Sequence, residues 1–153
     1  MKNAQARTTF LKDYSKPSYL IDNTVLHFDL FEDHAIVNST LAMRVNTDRD
    51  EGPSADLVLH GRELVLETIA IDGVALDSSA YAIEEGSLTI ANVQNLFVNK
   101  GGETFTLTCR TRLEPQNNTA LEGLYKSKKK FCTQLEAGGF RRITYYLDRP
   151  DVM

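Results

Sequence analysis

The sequence predicts an all-β domain, either a β-sandwich or one large, curved, saddle-like sheet, mostly antiparallel. Three observations carry that expectation. Short segments in which apolar and polar residues alternate recur along most of the 153 residues, the period-2 signature of half-buried strands. Turn signals such as Asp72-Gly73, Glu84-Glu85-Gly86-Ser87 and Lys100-Gly101-Gly102-Glu103 separate them. No segment sustains a helical stripe over about twelve residues or more. Roughly ten short strands at close spacing fit a sandwich or a curved sheet.

In chain order, residues 1–16 are polar and aperiodic and are expected to form an extended arm; the β domain is expected over 17–153. Leu26, Phe28 and Leu30 alternate with His27 and Asp29, and Glu32-Asp33-His34 reads as a turn. Val37, Leu41, Met43 and Val45 share one face of the next strand, with Asn38, Thr40 and Arg44 on the other, so the two strands predict a hairpin. A polar loop, Thr47 to Ser54, leads to the short apolar run Leu57-Val58-Leu59. Glu63 to Ile71 predicts a strand that returns through Asp72-Gly73 as Val74-Ala75-Leu76. Tyr81 to Ile83 and Leu88 to Ile90 flank another turn. The clearest strand has Phe105, Leu107 and Cys109 on one face and Thr104, Thr106, Thr108, Arg110 and Arg112 on the other; threonine suits the pleat through its branched β-carbon. Glu114 to Glu122 predicts a loop or a short helical turn. Strands are expected again at Phe131–Gln134 and Arg141–Leu147, with Lys126–Lys130 as a solvated turn that discourages edge-to-edge association.

The length suits one domain at roughly 100–200 residues per domain, large enough to bury about two thirds of its unfolded surface without a staple. Lys and Arg number 17 against 21 Asp and Glu, a net charge of −4 that argues against a nucleic-acid partner. No apolar run reaches the roughly 18 residues of a membrane span. Met1 to Phe10 lacks the apolar core of a signal peptide, so a cytoplasmic protein is expected. Cys109 and Cys132 form no C-x-x-C pair and read as free thiols. His27, His34 and His60 make no H-x-H, H-x-x-x-H or H-E-x-x-H, so no metal ligands are expected in this chain. No G-x-S-x-G, Walker loop or G-x-G-x-x-G occurs. From these patterns alone the chain is a β domain with no catalytic residues of its own.

The last third carries more. Thr119-Ala120-Leu121-Glu122-Gly123-Leu124-Tyr125, Cys132-Thr133-Gln134-Leu135-Glu136-Ala137 and the block from Phe140 to Val152, F-R-R-I-T-Y-Y-L-D-R-P-D-V, follow one another in order. Together they closely resemble the N-terminal domain of the bacterial-type aminopeptidase N family, zinc metallopeptidases of the gluzincin class. Asp13-Tyr14, Pro17, Tyr19 and Ile21 fit the family more loosely. The resemblance implies a β-rich domain that precedes a thermolysin-like catalytic domain bearing G-A-M-E-N and H-E-x-x-H. Neither motif occurs here. The chain is therefore expected to be a piece of such an enzyme, ending near the C-terminal end of its β domain. It would be inactive alone, bind no zinc, and be prone to self-association where it met the catalytic domain. The parent would use zinc to remove N-terminal residues from peptides.

The resemblance also implies a binding role for Gln134 and Glu136. The glutamate would hold the α-ammonium of a peptide substrate with a free N-terminus, and the glutamine would line the pocket for the first side chain. Two residues apart on a strand, both would share a face. The chain departs from the family at Leu135, usually Cys, at Gly139, commonly Glu, and in its lysine-rich turn. Without the resemblance, the alternative is a stand-alone, non-catalytic β-sandwich that binds a partner.

Overall fold

The computed structural model describes residues 10–136 and 138–152. Among the described residues ten strands form: β1 (Tyr19–Leu30), β2 (Ala35–Val45), β3 (Leu57–His60), β4 (Val65–Ile71), β5 (Val74–Ala75), β6 (Tyr81–Glu84), β7 (Ser87–Ile90), β8 (Thr104–Leu113), β9 (Gly123–Ser127) and β10 (Lys130–Gln134). They build a five-stranded sheet in the order β1-β2-β8-β4-β5, a three-stranded sheet β3-β7-β6 and the two-stranded hairpin β9-β10. All the strand pairs are antiparallel, and no helix long and apolar enough to cross a membrane occurs among the described residues. The all-β expectation therefore holds. Residues 1–9 of the expected arm lie outside the described residues; Leu11–Asp13 make one 3₁₀ turn.

The large sheet keeps one apolar face because two bulges correct its parity. On β2, Ala35, Val37, Ser39, Leu41, Met43 and Val45 are all buried. Tyr19 and Ile21 oppose Val45 and Met43; after a register shift at Asp22, Leu26 and Phe28 oppose Ser39 and Val37. One extra residue in β1 thus keeps the inward row inward. A second shift, between Leu66 and Thr68, does the same for β4, so that Leu66, Ile69 and Ile71 meet Thr111, Cys109 and Leu107.

Two smaller sheets cover that face at its two ends. Leu57, Leu59, Leu88 and Ile90 of the three-stranded sheet pack on Leu41, Met43, Ile69, Ile71, Phe105 and Leu107. Phe97 stacks on Phe105 at 4.4 Å, with Tyr19 edge-on at 6.0 Å, the arrangements that aromatic quadrupoles favour. At the other end Ala35, Val37 and Leu113 meet Leu124 and Ile143, with Leu26, Phe28 and Phe131 at the margin. Lys126 folds back from the lysine turn to Glu32, 3.0 Å from its carbonyl and 3.1 Å from its carboxylate, while Lys128 to Lys130 remain exposed. The solvated turn is therefore solvated except at Lys126.

Between the two covers runs the segment expected as a strand over Arg141–Leu147. It is not one. Phe140–Arg142 form a 3₁₀ turn, and only Tyr146 makes a β-bridge, with His60. The physical reason is burial on all sides: Ile143, Thr144, Tyr145, Tyr146 and Leu147 are at most 9% exposed. Its polar groups are satisfied from the sheet beneath. Thr144 Oγ1 bonds Ser39 Oγ at 2.8 Å, and Thr111 donates to the Ile143 carbonyl at 3.2 Å, as buried polar groups require. Further on, Asp148 accepts from the Arg141 backbone at 3.1 Å and its Nε at 2.7 Å. Arg149 pairs with Asp151 at 2.8 Å and donates to the Ser15 carbonyl at 2.7 Å, while Tyr14 donates to Asp151 at 3.0 Å. Those hydrogen bonds, Arg149's first, hold the Asp151 carboxyl below its usual range. β4 also starts at Val65, later than the expected Glu63, whose φ of 57° lies outside strand geometry.

Both cysteines are free. Cys109 is buried in the core, and desolvation pushes its thiol up to about 12; Cys132 is half-buried on β10. Because the thiolate is the nucleophile, Ellman's reagent should titrate one thiol, Cys132, in the native protein and both in urea. Equal native reactivity of the two would contradict this packing.

Candidate functional site

Gln134 and Glu136 lie where β10 ends. Gln134 is the last strand residue, paired with Gly123 of β9, and its side chain is exposed. Glu136 is also exposed, but it sits in a bend beyond the strand. The same-face argument from strand spacing therefore does not apply. The chain folds back instead: the Gly139 N–H donates to the Glu136 carbonyl at 2.8 Å. A Cβ at Gly139 would lie 2.7 Å from the Gln134 carbonyl oxygen and 3.2 Å from that of Glu136. The turn closes this tightly only because residue 139 has no side chain.

The turn is seated on the body of the domain through Arg142. Its N–H donates to the Gly139 carbonyl at 3.2 Å. Its guanidinium, 6% exposed, reaches Glu63 at 2.6 Å from Nη1 and Glu122 at 3.2 Å from Nε. Both carboxylates are more than half exposed, so solvent screens them and the contribution is modest. The value of the arrangement is positional. It links the corner before β4, the start of β9 and the Gln134–Gly139 turn. Gly123 completes the seat: at φ 72° it packs so closely that a Cβ would lie 2.6 Å from that of Arg142. Sequence reasoning missed Arg142, Glu63 and Glu122, because their partners are 20 and 79 residues apart. The glycine in T-A-L-E-G-L-Y was the only local hint.

Among the described residues neither Gln134 nor Glu136 makes a side-chain hydrogen bond, and Glu136 has no ion-pair partner. What remains is an exposed carboxylate and a carboxamide on a short turn, an acceptor pair suited to a cation with N–H donors.

A metal does not fit these residues. No group of three or more His, Cys, Asp or Glu that could hold a metal ion occurs among the described residues. His27 pairs with Asp29 at 3.2 Å and His34 with Asp33 at 2.7 Å. The His60 backbone bridges to Tyr146; its ring Nδ1 is buried with no hydrogen-bond partner among the described residues, and desolvation lowers its pKa.

No family model matches the chain. Curated relatives do. The chain is 40% identical over 153 residues to aminopeptidase N of Caulobacter vibrioides, covering all of this chain and 16% of that protein. It is 39% identical over 149 residues to aminopeptidase N of Escherichia coli, again covering 16% of the relative. Among solved structures, Legionella pneumophila aminopeptidase A in complex with aspartic acid superposes with a TM-score of 0.80 at 29% identity, over 92% of this chain and 16% of that one. An M1 zinc metallopeptidase of Deinococcus radiodurans shares the fold, with a TM-score of 0.67 at 15% identity, over 90% of this chain and 31% of that one. The chain thus spans about one sixth of the curated relatives it matches.

Proposed function

We propose, from the premise that this chain is homologous over its whole length to the N-terminal region of aminopeptidase N, that it serves as the β-rich substrate-recognition domain of a zinc aminopeptidase. The domain is the unit from residue 17 onward. Glu136 would hold the α-ammonium of a peptide's first residue, and Gln134 would line the pocket for that residue's side chain. The metal and the reacting groups would belong to another part of the enzyme, and this chain alone would hydrolyse no aminoacyl p-nitroanilide.

The observation that supports the reading is the exposed Glu136 carboxylate, without an ion-pair partner among the described residues, on a backbone turn that the Gly139 N–H closes just after Gln134. An aminopeptidase must tell a chain terminus from an internal peptide, and the terminus differs by a positive charge. A carboxylate enclosed on substrate binding rewards that charge with charge-assisted hydrogen bonds. A ligand without the ammonium leaves it desolvated and unpaired, so it is also penalised.

The test is Glu136→Gln in the full-length enzyme that carries this domain. A lost hydrogen bond to a charged group costs about 1.5–3 kcal/mol, so KM for aminoacyl p-nitroanilides should rise about tenfold or more. The chemical step does not involve this residue, so kcat should fall far less. An unchanged KM would remove Glu136 from the amine site.

A further inference from the structure

A cavity of about 390 Å³ opens where β4 begins and β8 ends. Arg62, Arg112 and Arg142 are among the residues that line it, together with Val65, Leu113 and Leu124. Such a volume suits a small ligand held by apolar walls and a few polar groups.

The charges around it are unevenly spent. Glu63 is taken by Arg142 at 2.6 Å, and Glu114 accepts from Asn117 at 2.7 Å. The Asn118 carboxamide donates to the Glu122 and Leu124 carbonyls at 2.7 and 2.9 Å. Arg142, and away from the cavity Arg44, Arg49, Arg110, Arg141 and Arg149, each have a carboxylate within 4 Å. Among the described residues, the arginines with neither an ion pair nor a side-chain hydrogen bond are Arg62 and Arg112, and both face this cavity. Their company is unexpected in a chain of net charge −4. Arg112 is also half-buried, where a charge without a direct partner is more costly than at the surface; it lies near enough to Asp33 to act, after the His34 hydrogen bond, among the causes that hold that carboxyl below its usual range.

We propose that this cavity binds an α-carboxylate borne by an apolar residue, as at the C-terminus of a peptide. Arg112 and Arg62 hold the carboxylate with their planar donor forks, and Val65, Leu113 and Leu124 receive the side chain. The Nη2 of Arg142, whose Nε and Nη1 are occupied, is a third donor. Neither Gln134 nor Glu136 lines this cavity, so this site stands or falls independently of the amine-binding reading.

The experiment uses the 153-residue chain and N-acetyl-leucine, followed by NMR of the arginine Nε–H signals and the methyl groups. Saturable shifts are expected at Arg112, Leu113 and Leu124, weakened about tenfold in Arg112→Gln by loss of a charge-assisted pair. N-acetyl-leucinamide, which lacks the charge, and inorganic phosphate, which lacks the side chain, should both bind at least about tenfold more weakly. Equal shifts with either of them would overturn the proposal, as would undiminished binding in Arg112→Gln. Should that variant fail to fold, Arg62→Gln, at an exposed position, serves the same test.

Discussion

Replacing Gly123 with alanine should release the β9–β10 hairpin, and the turn bearing Glu136 with it, from the rest of the domain. The residue sits at φ 72°, where an added Cβ would be 2.6 Å from the Arg142 Cβ and 3.2 Å from the Arg142 and Gly139 carbonyl oxygens. None of these is the yielding tip of a long side chain. The left-handed backbone costs an L-residue about 1–2 kcal/mol, and forced overpacking typically adds about 1–3 kcal/mol. A two-stranded hairpin is marginal without a packed face, and this one rests on a small apolar cluster around Leu124 and Ile143. Amide hydrogen exchange across Gly123–Gln134 should therefore lose most of its protection, while β2 and β8 keep theirs. Gly73→Ala is the control. Its φ of 79° imposes the same backbone strain, but no atom lies within 4 Å of the added Cβ, so only the smaller cost applies. Retained hairpin protection in Gly123→Ala would show that Arg142 can move aside.

Leu107→Ala should act globally. Leu107 is fully buried on β8, opposite Leu41 on one side and Ile71 on the other. It lies in the cluster that joins the five-stranded and three-stranded sheets. Truncations of this kind cost about 2–5 kcal/mol, a large share of the roughly 5–15 kcal/mol that holds a domain together. The urea midpoint should fall with little change in slope, and exchange protection should drop in both sheets together. A loss confined to β8 would mean that the two sheets do not fold as one unit. The contrast between the variants separates a peripheral element that carries the candidate site from the core that supports it.

The candidate site was only half legible in the sequence. Gln134 and Glu136 are ordinary polar residues by local pattern, and it was the resemblance of C-T-Q-L-E-A and its neighbouring blocks to a known family that singled them out. Their strand-like spacing suggested one shared face, whereas the chain leaves β10 at Gln134 and bends back under Gly139. Strand spacing describes regular backbone. It cannot register a turn closed by contact with residues further along the chain. The support from Arg142, Glu63 and Glu122 was invisible for the same reason, since it is held by side chains brought together from three separate segments.

The sequence alone determined whatever depends on near neighbours. It placed the alternating rows of β2 and β8, the Asp72-Gly73 turn whose residues both have positive φ, the 3₁₀ turn after Glu114 and the lysine hairpin. Side-chain alternation and turn stereochemistry act within a few residues, so they survive in one dimension. Tertiary structure decided the rest. The run from Ile143 to Leu147 has strand-like composition, yet it lies between two sheets and bonds to Ser39, Thr111 and His60 in place of a neighbouring strand. Which surfaces close over it, and which arginines find carboxylates, depends on packing across the whole chain, and no local pattern encodes that.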